Sequence, residues 1–270
     1  MSFLPTLLPT GWDGRIWGGD PETGYIYAHG VQGLFFCFDR DGEVVWTRSL
    51  TEEVGRISGY GGRTNSPTVA GGLVLISFLN SSWGPQGKGL HRYLAMDKRT
   101  GEIVYWAAPS GKPLDTTYSV PVVVEQDGRA ILYTGLADGT IVSLDPLTGE
   151  RIWQVPLSKR GINVSVVVGG GKVYAAHSEE NFDSTEMGRL VCLHAGTGEE
   201  LWRRDGLGVG YASPVLQSGT LFVSDNSANL HAFDAATGES LWEVNYGKEA
   251  KGSPTYGDGK IYVGEVGGVY

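Results

Sequence analysis

The chain has 270 residues, with 21 basic and 30 acidic side chains and a formal net charge of −9 at pH 7. This excess of negative charge argues against a nucleic-acid-binding protein and against binding to an anionic membrane surface. Hydrophobic residues make up 41% of the chain, and no apolar run reaches the length of about 18 residues that a transmembrane helix requires.

The first residues, Met1–Pro9, differ from a signal peptide. They lack its basic start and its long apolar core, and no lipid-attachment cysteine follows them. The sequence itself therefore shows no export signal.

Five copies of one short motif divide the rest of the chain into segments of similar length. Each copy has an apolar stretch, Asp or His, two or three residues, Gly-Glu, two further residues, and Trp or Tyr. The five motif glycines are Gly42, Gly101, Gly149, Gly198 and Gly238. Repetition at intervals of roughly 40–60 residues indicates an array of similar units, and β-rich units of this length are typical of propeller blades.

Each motif predicts a strand, a tight turn and a second strand. The glycine allows the positive φ that such a turn requires. The aromatic ring is Tyr105 in the second copy and Trp in the other four. Because it recurs at one position, we expect it to pack between neighbouring blades, where burial contributes about 2–3 kcal/mol for each ring.

We predict an all-β fold, a β-propeller of four-stranded antiparallel blades that forms a single domain over residues 1–270. Strands A to D of each blade run from the channel to the rim. Five complete blades and a partial sixth are predicted at about residues 18–50, 63–107, 117–157, 162–204, 210–246 and 252–270.

The sixth blade begins at Gly252, but the chain ends before a sixth motif. We expect the chain to be a fragment of a larger propeller. In the alternative interpretation, Asp13–Trp17, which is similar to Gly149–Trp153, returns as the outer strand of blade six and closes the ring. Closure would remove exposed sheet edges.

The pattern Ala-x-Asp-x-x-Thr-Gly-x-x-x-Trp, as in Ala232–Trp242, resembles the repeat of pyrroloquinoline-quinone (PQQ)-like propellers. That superfamily includes quinoprotein alcohol dehydrogenases and the BamB-type outer-membrane assembly lipoprotein. The resemblance runs from about Tyr25 to Tyr270 and implies a bacterial, periplasmic or otherwise extracytoplasmic protein. It is informative for fold rather than function, because the repeat is a packing device.

Quinoprotein dehydrogenases of this superfamily hold their quinone under a ring of adjacent cysteines, with a calcium ion and a catalytic Asp. The present chain departs from that pattern, because Cys37 and Cys192 lie in different repeats. We predict that both are buried, inert thiols. We therefore expect no cofactor and no metal site, with PQQ and calcium as the alternative.

The long connections all fall on one predicted face. Strand direction alternates within a blade, so the A–B and C–D turns lie on one face and the B–C and D–A connections on the other. The A–B and C–D turns are short, whereas the four long connections belong to the second face. Function is usually carried by such loops, so we predict the working surface there.

Polar residues on that face, close to the channel mouth, are the candidate ligand-binding residues. They are Arg63, Asn65, Tyr118, Asn163, His177, Glu180, Asn181 and Tyr211. They can orient a ligand by hydrogen bonding and stacking. The alternative is that they line a water-filled channel and bind nothing.

No catalytic motif is present, and we predict no catalytic residues. The predicted function is therefore a non-catalytic binding or scaffold module of the bacterial cell envelope, for a protein, peptide or small ligand. The alternative is a PQQ-dependent dehydrogenase that acts on alcohols or sugars.

Overall fold

The computed structural model describes residues 15–30, 33–54, 65–80 and 90–267. Within these ranges the chain forms 22 β-strands and one short helix, α1 (Leu50–Val54). The strands make five four-stranded antiparallel sheets and a two-stranded sixth. The all-β class and the predicted blade pattern are confirmed.

The strands of each sheet follow one another in chain order, as expected for propeller blades. Blade one contains β1 (Arg15–Gly19), β2 (Ile26–Gly30), β3 (Leu34–Phe38) and β4 (Val44–Ser49). Blade two contains β5 (Thr68–Ala70), β6 (Leu73–Asn80), β7 (Leu90–Asp97) and β8 (Ile103–Ala107). Blade three contains β9 (Val122–Gln126), β10 (Arg129–Gly135), β11 (Thr140–Leu144) and β12 (Arg151–Pro156).

The remaining blades have the same order. Blade four contains β13 (Val167–Gly169), β14 (Lys172–Glu180), β15 (Met187–His194) and β16 (Glu200–Asp205). Blade five contains β17 (Val215–Gln217), β18 (Thr220–Ser224), β19 (Asn229–Asp234) and β20 (Ser240–Asn245). Blade six contains β21 (Thr255–Gly257) and β22 (Lys260–Tyr262).

The first strand of each blade contacts the first strand of the next, from β1 through β5, β9, β13 and β17 to β21. The inner strands therefore follow one another around a common centre. The hydrophobic core lies between the sheets, because each of four buried clusters combines residues of two neighbouring blades.

The segment that begins at Arg15 has a different role from the one considered in the ring-closure interpretation. Residues 15–19 form the inner strand β1 of blade one, where Trp17 is opposite Ala28 and Gly19 is opposite Ile26. A strand paired in this way cannot also be the outer strand of blade six. That interpretation is therefore wrong for residues 15–17, while Asp13 and Gly14 lie outside the described residues.

The motif turns are held by their first residue. Oδ1 of Asp97 accepts hydrogen bonds from the backbone N–H groups of Arg99 and Thr100, at 2.9 and 2.8 Å. Oδ1 of Asp234 accepts the equivalent pair. The motif glycine follows with a positive φ, 74° at Gly101, which explains why this position is Gly in every copy.

The motif aromatic rings are equivalently placed, as predicted. Each lies opposite the small residue two positions before the motif Asp or His: Trp46 opposite Cys37, Tyr105 opposite Ala95, Trp153 opposite Ser143, Trp202 opposite Cys192 and Trp242 opposite Ala232. Next to each pair, strand D contains a β-bulge, because one of its residues has no partner in strand C. The repeat therefore fixes the pairing register of strands C and D and also the position of the bulge that shifts this register.

Between blades three and four, the ring packs against the next motif. Trp153 is 9% exposed and donates its Nε1–H to the carbonyl of Ala195 at 2.7 Å. A Cβ atom at Gly198 would lie 2.9 Å from the same ring. The motif glycine is thus needed for close approach as well as for its φ, and the predicted position of the ring between blades is confirmed.

Both cysteines are buried free thiols. Burial raises the pKa of Cys37 to about 12 and that of Cys192 to about 11. The prediction that both cysteines are buried is confirmed, and the raised pKa disfavours a reactive thiolate at either residue.

Candidate functional site

From blade two onward, the A–B turns are as short as a hairpin allows. In four of the five from blade two onward, both central residues have positive φ, as in a type I′ turn: Asp127–Gly128, Gly170–Gly171, Ser218–Gly219 and Asp258–Gly259. The B–C and D–A connections on the opposite face are longer, but they contain fewer loop residues than the sequence predicted. Strand β14 continues to Glu180 and β15 starts at Met187, so much of the predicted loop 177–189 is β-structure.

Serine hydroxyls link the start of one blade to the next on this face. The backbone N–H of Val120 donates to Ser165 Oγ, that of Ser165 to Ser213 Oγ, and that of Ser213 to Ser253 Oγ, at 2.9, 3.1 and 2.9 Å. These four residues are therefore equivalent positions of successive blades. The residues two positions before them are Tyr118, Asn163, Tyr211 and Lys251, which include three of the predicted candidates.

Tyr211 is 37% exposed, and Lys251 Nζ lies 6.0 Å from the centre of its ring. Asn163 is half-buried, and its Oδ1 is buried without a hydrogen-bond partner among the described residues. The two candidates therefore differ, because Tyr211 presents a ring to solvent whereas Asn163 presents an unsatisfied acceptor.

A recess between blades two and three brings two other candidates together. Its lining residues are Asn65, Ser77, Phe78, Leu79, His91, Thr116, Thr117 and Tyr118. Asn65 is buried and donates from Nδ2 to Ser77 Oγ at 2.7 Å and to the carbonyl of Ser119 at 3.1 Å. Asn65 thus joins the two blades, while the half-buried Tyr118 forms part of the wall.

His91 is a residue of this recess that the sequence did not single out. Its Nε2 lies 3.2 Å from Ser77 Oγ, and its Nδ1 accepts the backbone N–H of Ala137 at 3.3 Å. Complete burial lowers the pKa of His91 to about 3, so the ring is neutral at pH 7. No spacing rule finds this residue, because strand pairing alone brings it beside the recess, opposite Leu79.

The Ser77–His91 pair differs from a catalytic serine–histidine pair in which ring nitrogen carries the proton. Because Nδ1 accepts a backbone hydrogen bond, the ring proton is on Nε2, which faces the hydroxyl. A general base must instead offer an unprotonated Nε2 to the serine, with Nδ1–H held by a carboxylate. The pair therefore connects β6 and β7 within blade two, His91 Nδ1 links it to Ala137 of blade three, and Ser77 is not an activated nucleophile.

Candidates in blade four lie deeper than predicted. His177 is 2% exposed and Asn181 is completely buried. His177 Nδ1 accepts the backbone N–H of Glu179 at 3.1 Å, and burial together with the Arg189 guanidinium lowers its pKa to about 4. Asn181 donates to the carbonyls of Glu186 and Gly188 at 2.7 and 3.1 Å. Both side chains therefore shape the β14–β15 connection rather than lie on its surface.

The charges of this connection are paired locally. Arg189 is buried and makes ion pairs with Asp183 and Asp205, both at 2.5 Å. Glu180 pairs with Arg160 of the preceding D–A connection at 3.4 Å. Two arginine–carboxylate contacts to one buried guanidinium hold the loop in place. Glu180 is half-exposed, and Arg63 lies outside the described residues.

The residues present do not fit a quinone held under adjacent cysteines. Cys37 and Cys192 lie in strands of blades one and four, both inside the sheets. Within the described ranges, no group of three or more His, Cys, Asp or Glu side chains is arranged to hold a metal ion. Over the same ranges, none of the helices has the length and apolar character needed to cross a membrane.

Comparisons with known proteins agree with this architecture. The family model described as outer membrane protein assembly factor BamB matches residues 9–189 and 186–270. The BamB protein of Burkholderia pseudomallei is 26% identical over 210 residues, which is 76% of this chain and 48% of that protein. The quinoprotein ethanol dehydrogenase of Pseudomonas aeruginosa is 26% identical over 171 residues, 59% of this chain and 25% of that protein. The chain thus spans at most about half the length of these curated relatives.

Solved structures support the fold. BamB from Moraxella catarrhalis has a TM-score of 0.55 at 19% identity, covering 92% of this chain and 81% of that chain. The computationally designed Ika8 protein has a TM-score of 0.64 at 13% identity, covering 93% and 68%. A europium-containing methanol dehydrogenase has a TM-score of 0.51 at 14% identity, covering 86% and 69%. At these identities the likeness concerns the fold alone.

Proposed function

Because this chain belongs to the family of the outer membrane protein assembly factor BamB, we propose that it is a non-catalytic binding module for an extended protein segment or peptide in the bacterial envelope. The working surface is the face with the B–C and D–A connections. Its centre is the mouth formed by Asn65, Tyr118, Asn163 and Tyr211, with Arg63 beside Asn65 in the sequence.

One observation carries this proposal. The polar side chains of the described recess, Asn65, Ser77 and His91, are already hydrogen-bonded to each other within blade two. Asn65 and His91 also bond backbone groups of blade three. Such a network gives a rigid floor without a proton acceptor or a nucleophile. The wall residue Tyr118 and the exposed ring of Tyr211 are suited to stacking and hydrogen bonding with a peptide.

The second candidate is a PQQ-dependent dehydrogenase, and the likeness to the quinoprotein ethanol dehydrogenase favours it. The residues weigh against it, since Cys37 and Cys192 lie in different blades and have raised pKa values. We therefore propose binding without a cofactor as the function and retain the dehydrogenase as the alternative to be tested.

The test uses an array of extended peptides with alternating apolar and polar residues, added to the purified chain. We expect saturable binding that weakens about tenfold or more in the double variant Tyr118→Ala with Tyr211→Ala. The matched control is Gln217→Ala with Glu239→Ala on the opposite face, which leaves binding unchanged.

A separate arm adds PQQ and calcium and measures binding together with dye-linked oxidation of an alcohol panel. Binding with turnover would replace our proposal by the dehydrogenase. Peptide binding that falls only in the Gln217→Ala, Glu239→Ala control would show that the face is wrongly assigned.

A further inference from the structure

The B–C connection of blade five is a tight turn between β18 and β19, on the face that the proposed function assigns to binding. The backbone N–H of Asp225 donates to the carbonyl of Asn229 at 3.0 Å, and that of Ala228 donates to the carbonyl of Asp225 at 3.2 Å. Asn226 is the second residue of this turn and is half-buried. Its side chain takes no part in either bond, so the backbone closes the turn without it.

Blade three forms the same turn with two apolar residues at its start. There the N–H of Leu136 donates to the carbonyl of Thr140 at 2.8 Å, and that of Gly139 donates to the carbonyl of Leu136 at 3.2 Å. Asn226 therefore corresponds to Ala137, which has no polar side-chain atom. Since an alanine is sufficient at this position, the amide of Asn226 is not needed to form the turn.

The amide of Asn226 has a fixed orientation and a free donor. Its Oδ1 accepts the backbone N–H of Gly210 at 2.9 Å. Because a backbone N–H can only donate, the amide atom that faces Gly210 is the oxygen, and the nitrogen is the other one. Among the residues that the structure describes, Nδ2 has no hydrogen-bond acceptor. Two N–H groups of Nδ2 are thus available to a ligand.

Gly210 provides the space that this amide occupies. A Cβ atom at Gly210 would lie 3.0 Å from both Oδ1 and Nδ2 of Asn226 and 2.9 Å from Ser178 Oγ. The φ of Gly210 is outside the left-handed region, so backbone conformation does not explain the glycine. The equivalent residues of blade three are Thr117 and Ala137. The glycine and the amide therefore occur together in blade five, and the amide is the reason for the glycine.

The free donor lies beside an exposed aromatic ring. Gly210 immediately precedes Tyr211, which is 37% exposed at the channel mouth. The N–H of Asn226 donates to the carbonyl of Gly208 at 2.9 Å, and the N–H of Ala250 donates to the carbonyl of Asn226 at 3.2 Å. Asn226 is therefore held between the segments that lead into blades five and six, next to the ring.

The charges near Asn226 disfavour an anionic ligand group. Asp225 directly precedes it, and the Ser178 hydroxyl donates to Glu179 at 3.1 Å. Lys251, a cation at the same mouth, is already engaged in an ion pair with a neighbouring glutamate at 2.9 Å. A carboxylate ligand would therefore meet charges of its own sign. A neutral carbonyl oxygen can accept the Nδ2–H without this repulsion.

We propose that Asn226 is a ligand-binding residue, whose Nδ2–H donates to a main-chain carbonyl of the segment that binds beside Tyr211. The proposal rests on the proposed function and specifies which part of the ligand is recognised. Because every residue offers a main-chain carbonyl, this contact selects an extended backbone rather than a particular side chain. Binding at this point is therefore expected to tolerate many sequences.

The experiment titrates a labelled peptide from the binding array into the full chain and follows fluorescence anisotropy. Asn226→Asp keeps an oxygen that accepts the Gly210 N–H and removes only the donor, whereas Asn226→Ala removes both. We expect each variant to bind the peptide about tenfold more weakly. If Asn226 only held Gly210 in place, Asn226→Asp would bind like the unaltered chain. Titration at low and high salt separates the lost donor from the added charge, which salt screens.

A second measurement locates the carbonyl on the peptide. In a series of peptides, one amide at a time is replaced by an ester, whose carbonyl is a weaker acceptor. We expect one position at which the ester weakens binding to the unaltered chain but has little further effect with Asn226→Ala. Such coupling between a protein change and a ligand change identifies a direct contact.

The matched control is an asparagine of the same turn region. Asn245 is exposed, and its Nδ2 donates to the carbonyls of Ser227 and Ala228 at 3.2 and 3.4 Å. Asn245→Ala therefore removes contacts of the turn but leaves the Asn226 amide, and it is expected to leave peptide binding unchanged. Circular dichroism and thermal unfolding of each variant establish that it remains folded.

The outcomes distinguish this proposal from the proposed function. Binding at the unaltered level in Asn226→Asp, while Tyr118→Ala with Tyr211→Ala weakens it, would overturn the role of Asn226 alone. So would an ester effect that is equal in the unaltered chain and in Asn226→Ala at every position. Absence of saturable binding of any array peptide to the unaltered chain would overturn the proposed function and the Asn226 contact with it.

Discussion

The interface between blades one and two and the interface between blades three and four make the same backbone contacts with different side chains. In the first, Tyr27 and Trp46 donate to the carbonyl of Lys98, at 2.9 and 3.3 Å. In the second, Tyr133 and Trp153 donate to the carbonyl of Ala195, at 3.2 and 2.7 Å. The repeat therefore conserves a carbonyl position, and the side chain at that residue is free to vary.

At this position, the interface between blades one and two has Lys98 where the other interface has Ala195, and the lysine introduces a buried charge. The Lys98 side chain is 3% exposed and lies 3.0 Å from Asp20 Oδ2 and 2.6 Å from Glu22 Oε2, both in the turn between β1 and β2. Burial disfavours the charge of Lys98, but the hydrogen bonds with Glu22 and Asp20 outweigh this and raise its pKa. Both interfaces contain an apolar cluster, and the first adds a buried ion pair across blades.

The largest expected effect concerns the apolar interface. Trp153→Ala removes a nearly buried ring and its hydrogen bond, and we expect the free energy of unfolding to fall by about 3–5 kcal/mol. Urea unfolding followed by circular dichroism measures this. The control is Trp106→Ala on an exposed rim position, for which we expect a loss of about 1 kcal/mol. A loss below about 1 kcal/mol at Trp153 would contradict its packing role.

Next in size is the charged interface. Lys98→Ala leaves the buried carboxylate of Asp20 without its cation, and we expect a loss of about 3 kcal/mol. The double variant Lys98→Met with Asp20→Asn removes both charges and is expected to recover most of that loss. If the double variant is as unstable as Lys98→Ala, the ion pair is not the source of the effect.

A third effect depends on pH and on the histidine between blades two and three. The pKa of His91 in the folded chain, about 3, lies below its ordinary value of about 6.5. The unfolded chain therefore binds this proton first, and the contribution to stability present above about pH 6.5 is lost as the pH falls. Between pH 7 and 5 we expect a loss of about 2 kcal/mol from His91.

The measurement is urea unfolding at several pH values between 7 and 5. His91→Gln is expected to reduce the slope of stability against pH in this range. His194→Gln, at an exposed turn position, serves as the matched control and is expected to leave the slope unchanged. An unaltered slope in His91→Gln would mean that other groups carry the pH dependence.

These interfaces also show what the sequence could predict. The Trp and Gly positions follow from the repeat, because one period fixes strand, turn and facing ring. The Lys98–Asp20 pair does not, since spacing along the chain gives no information on contacts between charges in different blades. Among the candidate residues, Asn65 and Tyr118 meet in one recess, whereas His177 and Asn181 are buried by strands that extend further than their polar sequence indicates.

The smallest expected effect distinguishes two reasons for glycine at the motif position, which are its positive φ and the close approach of an aromatic ring. Gly42 and Gly198 both have positive φ, 86° and 74°, so alanine at either position is strained by about 1 kcal/mol. Only Gly198 also lies under a ring, Trp153, at 2.9 Å from an added Cβ. Gly198→Ala should therefore lower the free energy of unfolding by about 1–2 kcal/mol more than Gly42→Ala, measured by urea unfolding.

Combining Gly198→Ala with Trp153→Ala should remove this additional loss, since no ring then remains to clash. Equal losses at the two glycines would indicate that conformation alone selects glycine in this repeat.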